Sequence, residues 1–375
     1  MDSWLPRVLI LPSSSYARHR TIGGGERYAL EYARAMSALA PTTLGLFDLR
    51  EGNSRDGNLE IRQFGLRSFS DQWGFPATTK AFRELGEYDV VHVMCFPTSL
   101  SESAVVLARW RRQISVLTDV GGGGRSLSGY LGKISSRIDL HQFASGLAHL
   151  SGYSGTFFSK WRKPQTILYG GADCANVSAP FSGGHALFVG RLLPHKGILN
   201  VIRSLDSRTP LHVVGRPYDL DYFNQLKTEA TGKLVQFITD ASDADIRREY
   251  ASASVVLQPS IPSPTDAGDK SELLGLVALE GMAAGRPVIV TRVTSLPELV
   301  VDGETGYVVP PNDLEALGRR IRELVENPVK AEHMGQTARE HVRRRFSWPA
   351  VAQRGLDFYR ELQRTGRGSN PNRAR

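Results

Sequence analysis

Short β-rich apolar runs alternate with amphipathic helical stretches along almost the whole chain, and that rhythm limits the possible folds more than any other property. The runs are Val8–Leu11, Thr43–Phe47, Val90–Met94, Val116–Thr118, Leu147–Leu150 and Thr166–Tyr169 in the first half. Ala186–Val189, Leu211–Val214, Val235–Ile238, Val255–Leu257 and Pro287–Val290 follow in the second. Helical patterns lie between them, among them Glu26–Leu39 with Tyr28, Tyr32, Ala35 and Leu39 on one stripe, Asp243–Ala253, and Leu314–Val325. Strands separated by helices pair in parallel through right-handed crossovers and are covered on both faces. The class is therefore α/β, with doubly wound sheets.

A chain of 375 residues is too long for one ordinary α/β domain and comfortable for two. The rhythm pauses once, in the small, polar stretch Ala175–His185 (ANVSAPFSGGH), which reads as a linker. We expect an N-terminal Rossmann-like domain over residues 1–176, a linker over 177–185 and a C-terminal Rossmann-like domain over 186–345. A final helix over 346–366 is expected to pack back on the first domain, ahead of a frayed tail over 367–375. Ligands of such domains gather at the carboxyl ends of the strands, here across a cleft between the two.

Composition narrows the function classes. No apolar run is long enough to cross a bilayer, and the start of the chain lacks a signal-peptide pattern. Cys95 and Cys174 make neither a disulfide framework nor a zinc site, so a cytoplasmic, reducing setting is expected. The net charge of +8 is compatible with anionic substrates, an anionic membrane surface or nucleic acid. Much of it lies in Arg343–Arg345 and the tail from Arg364, read as a solvated helix end and a frayed terminus. The basic-aromatic strings Arg109–Arg112 and Lys160–Lys163 suit a packed Trp with its cations in water; contact with an anionic membrane is the sharper alternative. No nucleic-acid motif is present.

Four constellations carry chemistry. The stretch from Glu272 through Gly275 and Glu280 to Gly285 reads as a helix opening near Gly275 and running to Ala284, whose first turn offers free amides to a phosphate. Eight helical residues span roughly 12 Å, so Glu272 and Glu280 cannot serve one bond as a dyad. They suit the two ends of a long ligand, Glu280 accepting from a ribose diol and Glu272 from sugar hydroxyls. The loop from Gly190 to Gly197 follows a strand and presents Arg191 and Lys196, cations able to converge on a diphosphate. Gly23-Gly24-Gly25-Glu26 opens the first helix without matching a nicotinamide or Walker pattern. Asp119 precedes four glycines and is placed to point into the cleft. The strings Asp219-Leu-Asp221 and Asp243-Ala-Asp245 open predicted helices, where acidic residues act as caps rather than metal ligands. Asn312 is the expected N-cap of the helix from Leu314, with Glu315 completing a capping box.

Together these elements resemble the retaining family-4 glycosyltransferases of the GT-B fold. The resemblance rests on Glu272…Glu280 within LGLVALEGMAAGRPVIV, on Val189–Gly197, and on the Gly23–Glu26 loop. Tyr169–Asp173, Ser295–Leu299, Asp302–Tyr307 and the helix opened by Phe346-Ser347-Trp348 add to it. It implies a glycosyltransferase of hexosyltransferase type, active in glycan biosynthesis, that moves a sugar from a nucleoside diphosphate donor to an acceptor hydroxyl with retention. It further implies Arg191 and Lys196 at the diphosphate, Glu280 at the ribose, Glu272 at the sugar and the Gly275–Leu276 amides on the phosphates. Gly24 and Gly25 would close from the other domain. No cofactor and no metal is expected.

Many relatives carry a histidine after the middle N-terminal strand, where this chain has Asp119-Val120-Gly121. Either Asp119 supplies that polar contact or the sugar is oriented differently. The acceptor stays open among a glycan, a small molecule and a lipid-linked sugar at the inner membrane face. A GT-B sugar-nucleotide epimerase or hydrolase is the alternative enzyme. His92, inside a strand run, reads as a satisfied core residue, and His195 as a loop residue.

Overall fold

A computed structural model describes residues 4–12, 24–48, 51–65, 85–94, 99–120, 140–173, 181, 183–265, 268–269 and 272–368. The chain divides into two compact units, one drawn from residues 1–150, 155–169 and 348–375, the other from 151–154 and 170–347. Both are Rossmann-like, as the strand–helix rhythm requires.

The first unit holds β1 (Val8–Leu11), α1 (Gly24–Ser37), β2 (Thr42–Asp48), β3 (Gly52–Asp56), β4 (Leu59–Gly65), β5 (Val90–Val93), α2 (Ser99–Trp110), β6 (Ile114–Thr118), β7 (Gly146–His149) and β8 (Gln165–Ile167). Its sheet runs β3-β4-β2-β1-β5-β6-β7-β8, parallel except for the β3–β4 pair. The apolar runs predicted as strands are these strands, with ends shifted by a residue or two. The β3–β4 hairpin had no such signal, because β3 (GNSRD) is polar and largely exposed at the sheet edge.

Helix α1 buries Tyr28, Ala29, Tyr32, Ala33 and Met36, while Ala35 and Leu39 of the expected stripe are only half-buried. The buried stripe thus turns by one residue from the predicted one. It packs on α3 (Trp348–Gly368), where a Cβ added to Gly355 would lie 1.8 Å from the Tyr32 hydroxyl. The Tyr32 hydroxyl meets that of Tyr359 at 3.0 Å, and Tyr359 meets His92 Nδ1 at 2.6 Å. His92 Nε2 closes the chain on Thr118 Oγ1 at 2.7 Å. His92 is a satisfied core residue whose pKa burial pushes down to about 3, so its ring stays neutral.

In the second unit the order is β9 (Ala186–Val189), α4 (Ile198–Ser204), β10 (Leu211–Val214), α5 (Leu220–Glu229), β11 (Val235–Ile238), α6 (Asp243–Ser252) and β12 (Val255–Gln258). The small hairpin β13 (Pro264–Thr265) and β14 (Gly268–Asp269) comes next, then α7 (Leu276–Ala283), β15 (Val288–Thr291), β16 (Gly306–Val309), α8 (Leu314–Glu326) and α9 (Pro328–Arg345). Six parallel strands run β11-β10-β9-β12-β15-β16. Numbered within this sheet it is the dinucleotide-fold order 3-2-1-4-5-6, so the direction of winding reverses between β9 and β12. One apolar cluster joins Phe188, Val213, Leu257 and Ile289 of the strands to Ile198, Leu226, Leu317 and Ile321 of the helices.

Helix starts were partly misread. Asp219 does cap α5, accepting from Tyr222 N at 3.0 Å, and Ser242 with Asp245 forms a capping box on α6. For α8 the cap is Asp313, which accepts from Ala316 N at 2.9 Å, and not Asn312. Asn312 sits at φ 64°, left-handed, and accepts from Asn200 Nδ2 at 3.0 Å. A short amide side chain tolerates that backbone, which leaves the next residue to cap. Trp110 is another correction. It is 76% exposed with the Arg111 guanidinium 5.7 Å from its ring, whereas Trp161 packs on the core as expected. Most of the expected linker, residues 177–180 and 182, lies outside the described residues.

Candidate nucleotide-sugar site

In an open parallel sheet the loops leaving the strands on either side of the winding reversal form a crevice. In the second unit these are the loop after β9, carrying Arg191 and Lys196, and the segment after β12, leading to Glu272 and α7. Their backbones touch: Ile261 N donates to His195 O at 2.9 Å. Gly197 sits at φ 73°, and a Cβ there would fall 1.9 Å from Pro259 O, so only glycine fits this crossing.

The two loops also join through side chains. Lys196 Nζ donates to Glu272 Oε1 in an ion pair, with side-chain exposures of 15% and 12%. Ser260 Oγ donates to the same oxygen at 3.2 Å. Glu272 is held at its backbone as well, since its carbonyl accepts from Thr294 Oγ1 and, at 2.9 Å, from Ser295 Oγ. Arg191 stands at the carboxyl end of β9 and is exposed, with no charged partner among the described residues.

Helix α7 begins where the sequence placed it. Gly275 is its N-cap at φ 59°, and an added Cβ would lie 2.3 Å from Leu299 Cδ1. The third amide of the helix, Ala278 N, is taken at 3.0 Å by the buried Gln258 Oε1 at the end of β12. The Leu276 and Val277 amides precede the first intrahelical bond and point out of the helix end. Glu280 lies one turn further, where the Tyr250 hydroxyl donates to its Oε2 at 2.9 Å.

Gln258, Ser260, Thr294 and Tyr250 were missed by the sequence reading. A trace of signal existed only for Gln258, a polar residue closing the apolar run VVLQ. Tyr250 reaches Glu280 from another helix, a pairing no local pattern encodes. Replacing Tyr250 with Phe leaves one oxygen of Glu280 without this donor. We expect a several-fold change in nucleotide affinity, about 1 kcal/mol, with little change in fold; calorimetric titration of the variant with nucleoside diphosphates checks it.

Gly24, Gly25 and Asp119 belong to the first unit. Gly24 opens α1, and a Cβ on Gly25 would lie 3.1 Å from Val120 Cγ2, so the glycine loop lies against the residue that follows Asp119. Asp119 is 8% exposed at the end of β6. No histidine follows it, but His149 ends the neighbouring strand β7, hydrogen-bonded to Gln165 Oε1 at 2.6 Å and stacked on Phe158. Burial pushes the His149 pKa down, opposed by the Gln165 hydrogen bond and the Asp119 charge.

Among the described residues no helix is long and apolar enough to cross a membrane. Residues 183–341 match the family described as Glycosyl transferases group 1. Among curated proteins, the chain is 31% identical over 224 residues to a D-inositol 3-phosphate glycosyltransferase of Streptomyces coelicolor, covering 54% of this chain and 46% of that protein. It is 26% identical over 218 residues to a glycogen synthase of Mycobacterium tuberculosis, covering 55% and 50%. The chain thus spans about half the length of the curated relatives it matches. Solved structures align over nearly everything. HepE of Anabaena in complex with UDP has a TM-score of 0.70 at 20% identity, covering 95% of this chain and 100% of that one. Sucrose-phosphate synthase from Thermosynechococcus elongatus has a TM-score of 0.71 at 19% identity, covering 96% and 100%. These likenesses establish the fold, which is GT-B. The residues that build the winding-reversal crevice fall within 183–341, the stretch that matches the glycosyl transferases group 1 family.

Proposed function

We propose that the protein is a retaining glycosyltransferase that moves a sugar from a nucleoside diphosphate donor to an acceptor hydroxyl without a metal ion. The observation that carries this reading is the pairing of Lys196 with Glu272 beside the opening turn of α7. It joins the two motifs expected to hold opposite parts of one donor. The diphosphate lies across the Gly275–Leu276 turn, with Arg191 as a bidentate fork and Lys196 as a point charge. Glu280, oriented by Tyr250, accepts from the ribose diol. Glu272 accepts from sugar hydroxyls, and Lys196 moves its charge from that carboxylate toward the phosphate.

With two cations and helix amides aimed at the leaving diphosphate, electrostatic stabilisation is the main source of rate, and no protein nucleophile is called for. The departing phosphate oxygen takes the acceptor proton on the face it leaves. Asp119 and the Gly24–Gly25 turn serve the sugar and acceptor side. Solved neighbours include HepE with UDP and with UDP-glucose, which favours a uridine donor. The acceptor is a hydroxyl of a glycan, a small molecule or a lipid-linked sugar.

A thermal-shift screen of UDP-, GDP-, ADP- and TDP-sugars tests the reading. One donor class should raise Tm by several degrees, and the shift and the transfer should both survive EDTA. Product analysis then reads the anomeric configuration. No response to any nucleotide sugar, or activity abolished by EDTA and restored by Mg2+, would sink it. Release of free sugar or epimer from donor and water alone would favour the epimerase or hydrolase alternative.

A further inference from the structure

At the amino ends of β9 and β10, opposite the proposed donor crevice, three side chains converge without any part in the chemistry above. His185 precedes β9, His212 is the second residue of β10, and Glu249 lies on α6. His185 Nε2 lies 3.2 Å, and His212 Nδ1 2.7 Å, from the same oxygen, Glu249 Oε2. The imidazoles stack at 3.7 Å between centroids with 20° between their planes.

We propose that His185, His212 and Glu249 bind one divalent transition-metal ion of the zinc class, which ties β9, β10 and α6 together. All three ligand atoms lie within 4.8 Å of one another. In a tetrahedral zinc site with bonds of about 2.0–2.1 Å, ligand atoms stand about 3.3 Å apart. The His185–Glu249 separation of 3.2 Å already has that value, and the His212–Glu249 contact must open by about half an ångström. His212 is the ring free to make that change, since its side chain is 25% exposed against 9% for His185. Turning it unstacks the pair and brings both nitrogens to a common point.

An independent observation points to a ligand. His185 is 7% exposed, and among the described residues its buried Nε2 makes no well-aligned hydrogen bond, only the 3.2 Å approach to Glu249. Glu249 supplies the negative charge, and its 18% exposure leaves room for a water as fourth ligand. Two imidazoles and one carboxylate suit zinc, copper or nickel and disfavour magnesium. The site is independent of the donor reading.

The test uses the full chain stripped with EDTA and titrated with ZnCl2, with MgCl2 as control. One saturating equivalent of Zn2+ is expected by calorimetry, with Tm rising by about 5–10 °C at a hundredfold excess over Kd. Magnesium should give no shift. His212→Gln and Glu249→Gln should each weaken Zn2+ more than about 100-fold, beyond what loss of an outer-shell partner does. The Cys95→Ser/Cys174→Ser double variant should bind as the parent. If a ligand variant does not fold, the visible spectrum of the Co2+-loaded parent decides, a tetrahedral pattern supporting the site and an octahedral one refuting it. Absence of stoichiometric binding, binding unchanged in both ligand variants, or binding lost with the cysteines overturns the proposal.

Discussion

Lys196→Ala lowers turnover by about 10²–10³-fold at saturating donor while both units stay folded, the loss typical when one fixed group is taken from a developing anion. Lys196 is the half-buried member of the proposed cationic pair, held at 15% side-chain exposure on a loop fixed by Gly197 and Ile261. A charge in that setting is poorly screened and already in position, so its effect falls on the barrier more than on binding. Removing it also strands the Glu272 carboxylate with Ser260 as its remaining side-chain donor among the described residues, which costs about 1–3 kcal/mol of stability. The companion Glu272→Gln removes the carboxylate instead, and the double variant should lose less stability than the sum of the singles. Arg191→Ala, exposed and without a charged partner among the described residues, should cost activity with almost no change in Tm. The measurement is kcat and KM on donor and acceptor, with circular dichroism as the folding control. A Lys196→Ala enzyme within tenfold of the parent kcat would remove Lys196 from the chemistry.

Gly197→Ala is expected to be among the most damaging single-methyl additions in the second unit. Its backbone is left-handed at φ 73°, and the new Cβ would fall 1.9 Å from a carbonyl oxygen of the neighbouring loop. Left-handed backbone alone costs alanine about 1 kcal/mol, and the clash, which meets main chain rather than a yielding side chain, brings the total to about 3 kcal/mol or more. For a unit of this size that lowers Tm by about 6–12 °C. Because the displaced oxygen belongs to Pro259, the movement also parts Lys196 from Glu272, so donor-induced stabilisation should vanish even below the new Tm. Gly303→Ala is the control. It has φ 82° with nothing within 4 Å, so it isolates the conformational term. Equal losses at both positions would show that the close approach contributes nothing.

The fold was legible because strand–helix rhythm is a local property, carried by runs such as LHVV and VVLQ that occupy buried central strands. The proposed site was legible where a glycine combines left-handed backbone with no room for a Cβ, at Gly197 and Gly275. What escaped were side chains that meet across long sequence separations: Lys196 with Glu272, Gln258 with the Ala278 amide, Tyr250 with Glu280. Caps failed for a related reason, since Asn312 and Asp313 both suit the position and only the left-handed backbone of Asn312 decides between them. Trp110 was misread because flanking cations are compatible with either a packed or an exposed indole. The histidine pair with Glu249 carries no motif, as its members lie just before one strand, on the next and on a helix, brought together only by the folded sheet.

Tyr359, at the far end of the chain, completes the hydrogen-bond series through His92 and Tyr32 in the unit that begins at the other end. During synthesis, residues 170–347 therefore emerge and fold while the earlier unit still lacks its last helix. A ribosome that stops near Arg345 would release a protein with one finished half and, in the other, a bare groove along Tyr28, Tyr32 and Met36. Exposed apolar surface of that kind is what chaperones and proteases act on.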